Sequence, residues 1–354
     1  MIDVDETNAV DYLRSRCRDF SDWPQLSDDE LSTATAEQLA GGVSNIVLRV
    51  ETCRRSFVLK QSRKQLRTPI DWFSQVDRIW REVDTLRILA ELLPASMFPR
   101  VLFEDRDNYL FAMEAVEADH CVWKTELLAG RLDNNITVHV GQLLALVHCR
   151  SEGRKDLLDG FDDRTVFDEL RLDPFYRYVA VNTPDTKLAA SLQQLISETL
   201  ERHDCLVLGD FSPKNILLTS SGPVAVDFET AHLGDPAFDI GFFLSHLFLK
   251  AFYHIQRSDE VLAVARTFWE AYRAAPDAIS SDFTGSGFEA RCVRHLGACL
   301  LSRVDGKSRV DYLHDPRQID GVRSLCRTIL TPEHTVNPQT MESCLRVTVR
   351  QLCQ

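Results

Sequence analysis

The chain has 354 residues, 44% of them hydrophobic and 26% charged, which exceeds the usual reach of a single core and predicts two lobes of an ordinary soluble protein. Its formal net charge of -13 repels phosphate backbones and anionic lipid, excluding a general nucleic-acid or membrane-surface binder while leaving room for a local basic pocket for a small anion. Ten cysteines are scattered without a C-x-x-C pair, which speaks against a zinc module or a disulfide framework and for free thiols in a reducing compartment.

The first residues, MIDVDETNAVDYL, are acidic and lack a basic flank followed by an apolar run, so no signal peptide is read there and a cytoplasmic location is expected. Residues 8–20 predict a short amphipathic helix with Val10, Leu13 and Cys17 at helical spacing. LAGGVSNIVLRVE and RSFVLKQS then predict strands, broken by Gly41-Gly42 and by a polar turn at residues 53–56. From Asp71 to Leu93 the period becomes helical, through Ile79, Glu82, Val83, Leu86 and Leu89, and Pro94 closes the run. Two further strands, RVLFED and YLFAMEAV, flank a charged turn.

Beyond about residue 116 the texture is helical, over 134–151, 186–203, 235–256, 259–274, 285–304 and 316–330. The segment IGFFLSHLFLKAF is the most apolar, but with His246 and Lys250 in it, it is too short and too polar to span a bilayer. The expectation is an α+β chain: a small antiparallel-sheet lobe with one long helix over 1–114, and a larger, mainly helical lobe over 115–354.

Two apolar runs interrupt the helices, LVLGDFSPKNIL and VAVDFE, and each ends on an acid. If 205–208 and 216–218 are strands, Asp210 and Asn215 lie on the loop between them and Asp227 terminates the next strand. A carboxylate, an amide and a second carboxylate at neighbouring strand ends suit Mg²⁺, which takes few protein oxygens and fills its shell with phosphate and water. An acid that accepts a hydroxyl proton would complete a phosphoryl-transfer site. Any one of these residues alone reads as readily as a turn or cap former; it is their joint spacing that carries the signal.

Asp210-x-x-x-x-Asn215, then Asp227 followed by an aromatic, matches a kinase-like catalytic loop and metal-binding loop. More closely, LGDFSPKNIL with VDFETAHLGDPAFDIG resembles the aminoglycoside phosphotransferase and choline kinase superfamily, with a D-x-E pair similar to that of methylthioribose kinases. The resemblance covers about residues 36–310. It implies a two-lobed protein-kinase-like fold and transfer of the γ-phosphoryl group of ATP, with Mg²⁺, to a hydroxyl of a sugar, an aminoglycoside or an amino alcohol.

Carried over residue by residue, the resemblance makes Asp210 the catalytic base and gives Asn215, Asp227 and Glu229 to the metal. Lys60 pairs with the phosphates and is steadied by Glu82, and Gly41, Gly42, Ser44 and Asn45 form the loop over the nucleotide. Glu114 and Val116 belong to the stretch whose backbone faces adenine. Asp210, Glu229 and Arg303 touch the acceptor, with Lys307 and Arg309 of SRVDGKSRVDYL as further anion-tolerant groups. Asp235 and Asp239 start the next helix and tie the catalytic loop down. Leu208 stands where the family commonly has histidine, which implies apolar bracing of that loop. His148, His232 and His246 read as core or surface residues, and Trp72 and Trp123 as packing aromatics, with Trp123 near the cleft. The rival readings are a relative that binds nucleotide without turnover, and a metal-dependent phosphohydrolase using Asp210, Asp227 and Glu229.

Overall fold

The computed structural model describes residues 2–16, 19, 26–39, 45–63, 74–275, 283, 285–331 and 340–352. Two compact units emerge, one of Met1–His120 with Thr219–Glu229, the other of Cys121–Leu218 with Thr230–Gln354. The division is therefore not one cut at 114/115: a stretch of eleven residues returns to the first unit. Glu117 helps hold it there, its carboxylate accepting from the Ser220 amide at 3.2 Å and the Ser220 hydroxyl at 2.9 Å.

The first unit is built on a five-stranded antiparallel sheet of β1 (Thr35–Gln38), β2 (Asn45–Glu51), β3 (Ser56–Ser62), β4 (Val101–Asp105) and β5 (Leu110–Glu114), in the order β1-β2-β3-β5-β4. Strand side chains alternate between faces, and here the two faces do different work. Ile46, Leu48 and Val50 of β2 and Phe57 and Leu59 of β3 join a core with Val4, Ala9, Tyr12, Leu13 and Leu31 of the N-terminal segment, which includes α1 (Ala9–Arg16) and α2 (Asp28–Thr33). The opposite set, Asn45 and Arg49 of β2 with Val58 and Lys60 of β3, is left to polar partners and to α3 (Arg78–Leu92). The register aligns Val47 with Lys60 and Lys60 with Phe111.

Helix α1 buries Ala9, Tyr12 and Leu13 rather than the expected Val10, Leu13 and Cys17. The Tyr12 hydroxyl turns the stripe, because it donates to buried Asp105 at 2.7 Å; Cys17 lies outside the described residues. Helix α3 starts at Arg78, later than expected, after a turn at 76–77; residues 71–73 are not among those described. Strand β1 was not anticipated, since TAEQ has no apolar alternation.

In the second unit, β6 (Cys121–Val122) and α4 (Trp123–Leu128) precede α5 (Asn134–Ser151), whose N-cap Asp133 accepts from the amides of Asn135 and Ile136. The helical run of α6 (Thr165–Phe167), a wide-turned π segment over Asp168–Arg177 and α7 (Tyr178–Asn182) was missed, because Pro174 and seven polar residues hide its period. After α8 (Thr186–Glu201) come β7 (Cys205–Val207) and β8 (Ile216–Thr219), while β9 (Gly222–Ala225) belongs to the first unit. Strand β10 (His232–Gly234) runs antiparallel to β7, pairing His232 with Val207.

Helix α9 (Ala237–Tyr253) is the axis of this unit and is buried on all sides through Phe252. It packs on α10 (Ser258–Arg273) and α11 (Ser286–Asp305). At Gly241 the approach is so close that an added Cβ would collide with His295 Cβ and lie 2.6 Å from the Leu296 amide. Helices α12 (Pro316–Leu330) and α13 (Met341–Leu352) complete it. No helix among the described residues is long and apolar enough to cross a membrane.

Candidate active site

Lys60 projects from β3 toward α3 and is nearly sealed from solvent, its Nζ lying 2.6 Å from Glu82 Oε2 and 2.6 Å from Asp227 Oδ1. Burial alone would pull this amine's pKa down, but the charges of Asp227, Glu82 and Glu229 more than offset it and hold the pKa above its ordinary value. Burial pushes the Glu82 carboxyl up, with Lys60 opposing and Asp227 reinforcing. Asp227 does not end a strand as expected: β9 stops at Ala225, and Asp227 takes a left-handed conformation with φ 72°. Non-glycine residues adopt that conformation rarely, and such strain concentrates at functional sites.

Glu229, expected as a metal and acceptor ligand, is committed to other partners. Its Oε2 accepts from Asn45 Nδ2 at 2.9 Å and from Arg78 Nε at 3.2 Å. Arg78, on the first turn of α3, is itself buried and also donates to the carbonyls of Arg63 at 2.8 Å and Gln75 at 2.7 Å. The knot joins the start of β2, the start of α3 and the acidic turn within one unit.

In the second unit the loop after β7 presents Asp210. Gly209 precedes it with φ 72°, and a Cβ there would stand 2.8 Å from the Thr230 carbonyl oxygen, so glycine is required on both counts. The Asp210 carboxylate meets Arg171 at 2.7 Å and Lys214 at 2.9 Å. Asn215 donates its amide to Asp210 twice, to the carbonyl and to Oδ2, each at 3.0 Å. That occupies the side-chain N–H groups and leaves the amide oxygen as its acceptor.

The Leu208 side chain is buried, as apolar bracing requires, and polar bonds brace the loop as well. Asp239, at the start of α9, accepts from the backbone amides of Leu208 at 2.7 Å and Gly209 at 2.8 Å. His148 Nε2 lies 3.3 Å from the same carboxylate and His148 Nδ1 lies 2.9 Å from the Tyr272 hydroxyl. Asp235 accepts from the Ala237 amide at 3.0 Å and pairs with Arg291 at 2.8 Å, tying down the helix start.

Other expected residues fall differently. Gly41, Gly42, Ser44 and Trp72 lie outside the described residues. Glu114 ends β5 and pairs with Arg100. The Val116 carbonyl accepts from Arg49 at 2.8 Å. Arg303 is directed inward, donating to Ser308 Oγ at 2.7 Å, whereas Lys307 pairs with Asp173 at 3.2 Å and, like Arg309, is exposed. Trp123 is buried against Phe243 at 5.7 Å. His232 is buried and stacks on Phe167 at 3.9 Å. Arg78, Arg171, Lys214 and Lys250 were not singled out as site residues. Of these only Lys250 left a local signal, a lysine inside an otherwise apolar helix.

Among the described residues no three His, Cys, Asp or Glu side chains are gathered to hold a metal ion. The amide oxygen of Asn215 in the second unit and the carboxylate of Asp227 in the first are each a hard donor of the type Mg²⁺ takes.

Residues 35–280 match the phosphotransferase enzyme family, APH. Methylthioribose kinase 2 of Oryza sativa subsp. japonica is 24% identical over 286 residues, covering 73% of this chain and 65% of that enzyme. A methylthioribose kinase of Exiguobacterium sibiricum is 24% identical over 267 residues, covering 66% of each. The chain thus spans slightly less than two thirds of these relatives' own length. A choline/ethanolamine kinase family protein from Mesorhizobium loti shares the fold at 16% identity and a TM-score of 0.50, covering 96% of this chain and 99% of its own. With the family pattern running through more than half of its length, and the sheet-bearing and helical units both in place, the chain belongs to the phosphotransferase enzyme family.

Proposed function

We propose that the protein is an ATP- and Mg²⁺-dependent kinase that transfers the γ-phosphoryl group to a hydroxyl of a small polar acceptor. The observation that carries this reading is buried Lys60, held 2.6 Å from both Glu82 and Asp227. A cation kept charged in a dry setting suits a nucleotide's phosphates, and the carboxylate on the neighbouring helix fixes where its ammonium points. The names of the similar methylthioribose kinases support a small hydroxyl compound as the acceptor class.

In this reading the acceptor hydroxyl gives its proton to the Asp210 carboxylate as its oxygen bonds to the γ-phosphorus and the bond to the β-phosphate oxygen breaks, releasing ADP. Arg171 fixes one carboxylate oxygen, and half-exposed Lys214 is the partner that yields to the hydroxyl. Asp227 and Asn215 each offer an oxygen to Mg²⁺, which when bound neutralises charge on the phosphates. Glu229 is a positioning residue that orders Asn45 and Arg78.

The test is ADP formation from Mg-ATP across a panel of hydroxyl compounds. Asp210→Asn should cut turnover by about 10²- to 10⁴-fold while Mg-ATP affinity stays within about twofold. Lys60→Ala should weaken Mg-ATP binding by about tenfold or more, a loss of about 1.4 kcal/mol. Undiminished turnover in the Asp210 variant would refute the role assignment. Phosphate release without an acceptor, indifferent to Lys60→Ala, would favour hydrolysis instead.

A further inference from the structure

Six buried side-chain polar atoms of the second unit have no hydrogen-bond partner among the described residues; Arg164 Nε belongs to a guanidinium that already donates to the Arg202 carbonyl at 2.6 Å, and the other five are Trp123 Nε1, Ser212 Oγ, His246 Nε2, Arg303 Nε and Tyr312 Oη. Folded proteins leave few such atoms, because water lost without a replacement bond is a penalty. These five are linked through a run of contacts that begins at Asp210. Arg171, which meets Asp210 at 2.7 Å, places its guanidinium 5.9 Å from the Phe175 ring, and Arg303 lies 5.8 Å from the same ring. Arg171 also covers Phe242, whose ring is 5.0 Å from that of His246. Lys250 donates to the His246 carbonyl at 3.2 Å and lies 5.5 Å from the Tyr312 ring, with Lys124 on that ring at 5.7 Å. Helix α4, which begins with Trp123, packs on the Pro213–Asn215 turn next to Ser212.

Two properties of this cluster say what it would hold. Trp123 Nε1 and Arg303 Nε are donors only, and Lys250 is a fully buried amine that donates to one carbonyl and, among the described residues, forms no ion pair. In a protein of formal charge -13, Lys124, Arg171, Lys214, Lys250 and Arg303 have, among the described residues, Asp210 and Asp311 as their paired carboxylates. Burial first, then the nearby charges of Lys124 and Arg303, lower the Lys250 pKa to about 7. The aromatic faces that would cradle a quaternary ammonium are already covered by the protein's own cations.

We propose that the acceptor carries a carboxylate or phosphate group besides the hydroxyl it offers, and that Lys250, Arg303, His246 and Tyr312 hold this oxyanion beside Asp210. The proposal rests on the kinase reading for the meaning of Asp210, but the binding it requires does not need turnover.

Calorimetry on the full chain without nucleotide, using ribonate, ribose 5-phosphate, ribose and choline, tests it. At least one of the two anions should bind ten times or more tighter than ribose or choline, and whichever anion binds tighter identifies the group as carboxylate or phosphate. Lys250→Met, apolar and of similar length, should weaken that binding at least tenfold, and the gentler Tyr312→Phe about threefold. Equal or tighter binding of ribose or choline, no binding of either anion, or anion affinity unchanged in both variants would overturn the proposal. Anion binding with no ADP formed from Mg-ATP would sink the kinase reading and leave the oxyanion site standing. ADP formed with choline and undiminished by Lys250→Met would do the reverse.

Discussion

At the scale of single residues, Lys250 gives the clearest measurable signature. Its amine is fully buried on α9 and its pKa is lowered to about 7 from an ordinary 10.5, first by burial. The sign follows from proton counting: between about pH 7 and pH 10 the unfolded chain binds a proton here that the folded chain does not, so this group makes stability rise with pH across that window. Below about pH 7 both states are protonated and the penalty of a buried charge is fully present. Urea denaturation at several pH values should show this rise in the wild type and lose it in Lys250→Met, with the difference between the two curves isolating the one group. A flat difference would mean that the amine is solvated. Lys60 is the contrasting case, an equally buried lysine whose three carboxylate neighbours keep it charged.

At the scale of elements, the loop that carries Asp210 is a short connection hung from the first turn of a buried helix. Asp239 accepts from two consecutive peptide N–H groups, those of Leu208 and Gly209. Asp239→Asn leaves one oxygen where there were two and puts a second donor where an acceptor is needed, so one peptide N–H is stranded. A loss of about 1–3 kcal/mol is expected, read as a fall in the urea midpoint, together with lower turnover at unchanged Mg-ATP affinity. His148 and Tyr272 stand behind the same carboxylate. The family resemblance of GDPAFDIG gave Asp239 this tethering role. It gave His148 none, because the histidine sits 91 residues away from its partner.

At the scale of the whole molecule, the net charge of -13 works against compactness through self-repulsion. Raising sodium chloride from about 10 mM to about 150 mM shortens the Debye length to about 8 Å, so Tm should rise by a few degrees in calorimetry. A fall would indicate that attractive pairs, which salt also screens, outweigh the repulsion. The organisation into units has the same long-range character. Residues 219–229 follow the second unit's loop in the chain yet belong to the first unit, drawn there by Lys60, Arg78, Asn45 and Glu117.

The amino-acid sequence by itself determined most of the elements and the spacing of the acids on the loop after β7. Apolar periods located α5 and α12 to the residue, and Asp210 with Asn215 could be read because they lie within one loop, where covalent spacing alone limits how far apart they sit. Tertiary structure decided the partners. Lys60 and Asp227 are 167 residues apart, Glu229 turned out to be held by Arg78 and Asn45, and the cations gathered near Asp210 come from α4, α9, α11 and the π segment. Charge on a side chain is visible in a sequence; whether it is paired, exposed or stranded depends on which distant elements fold against it.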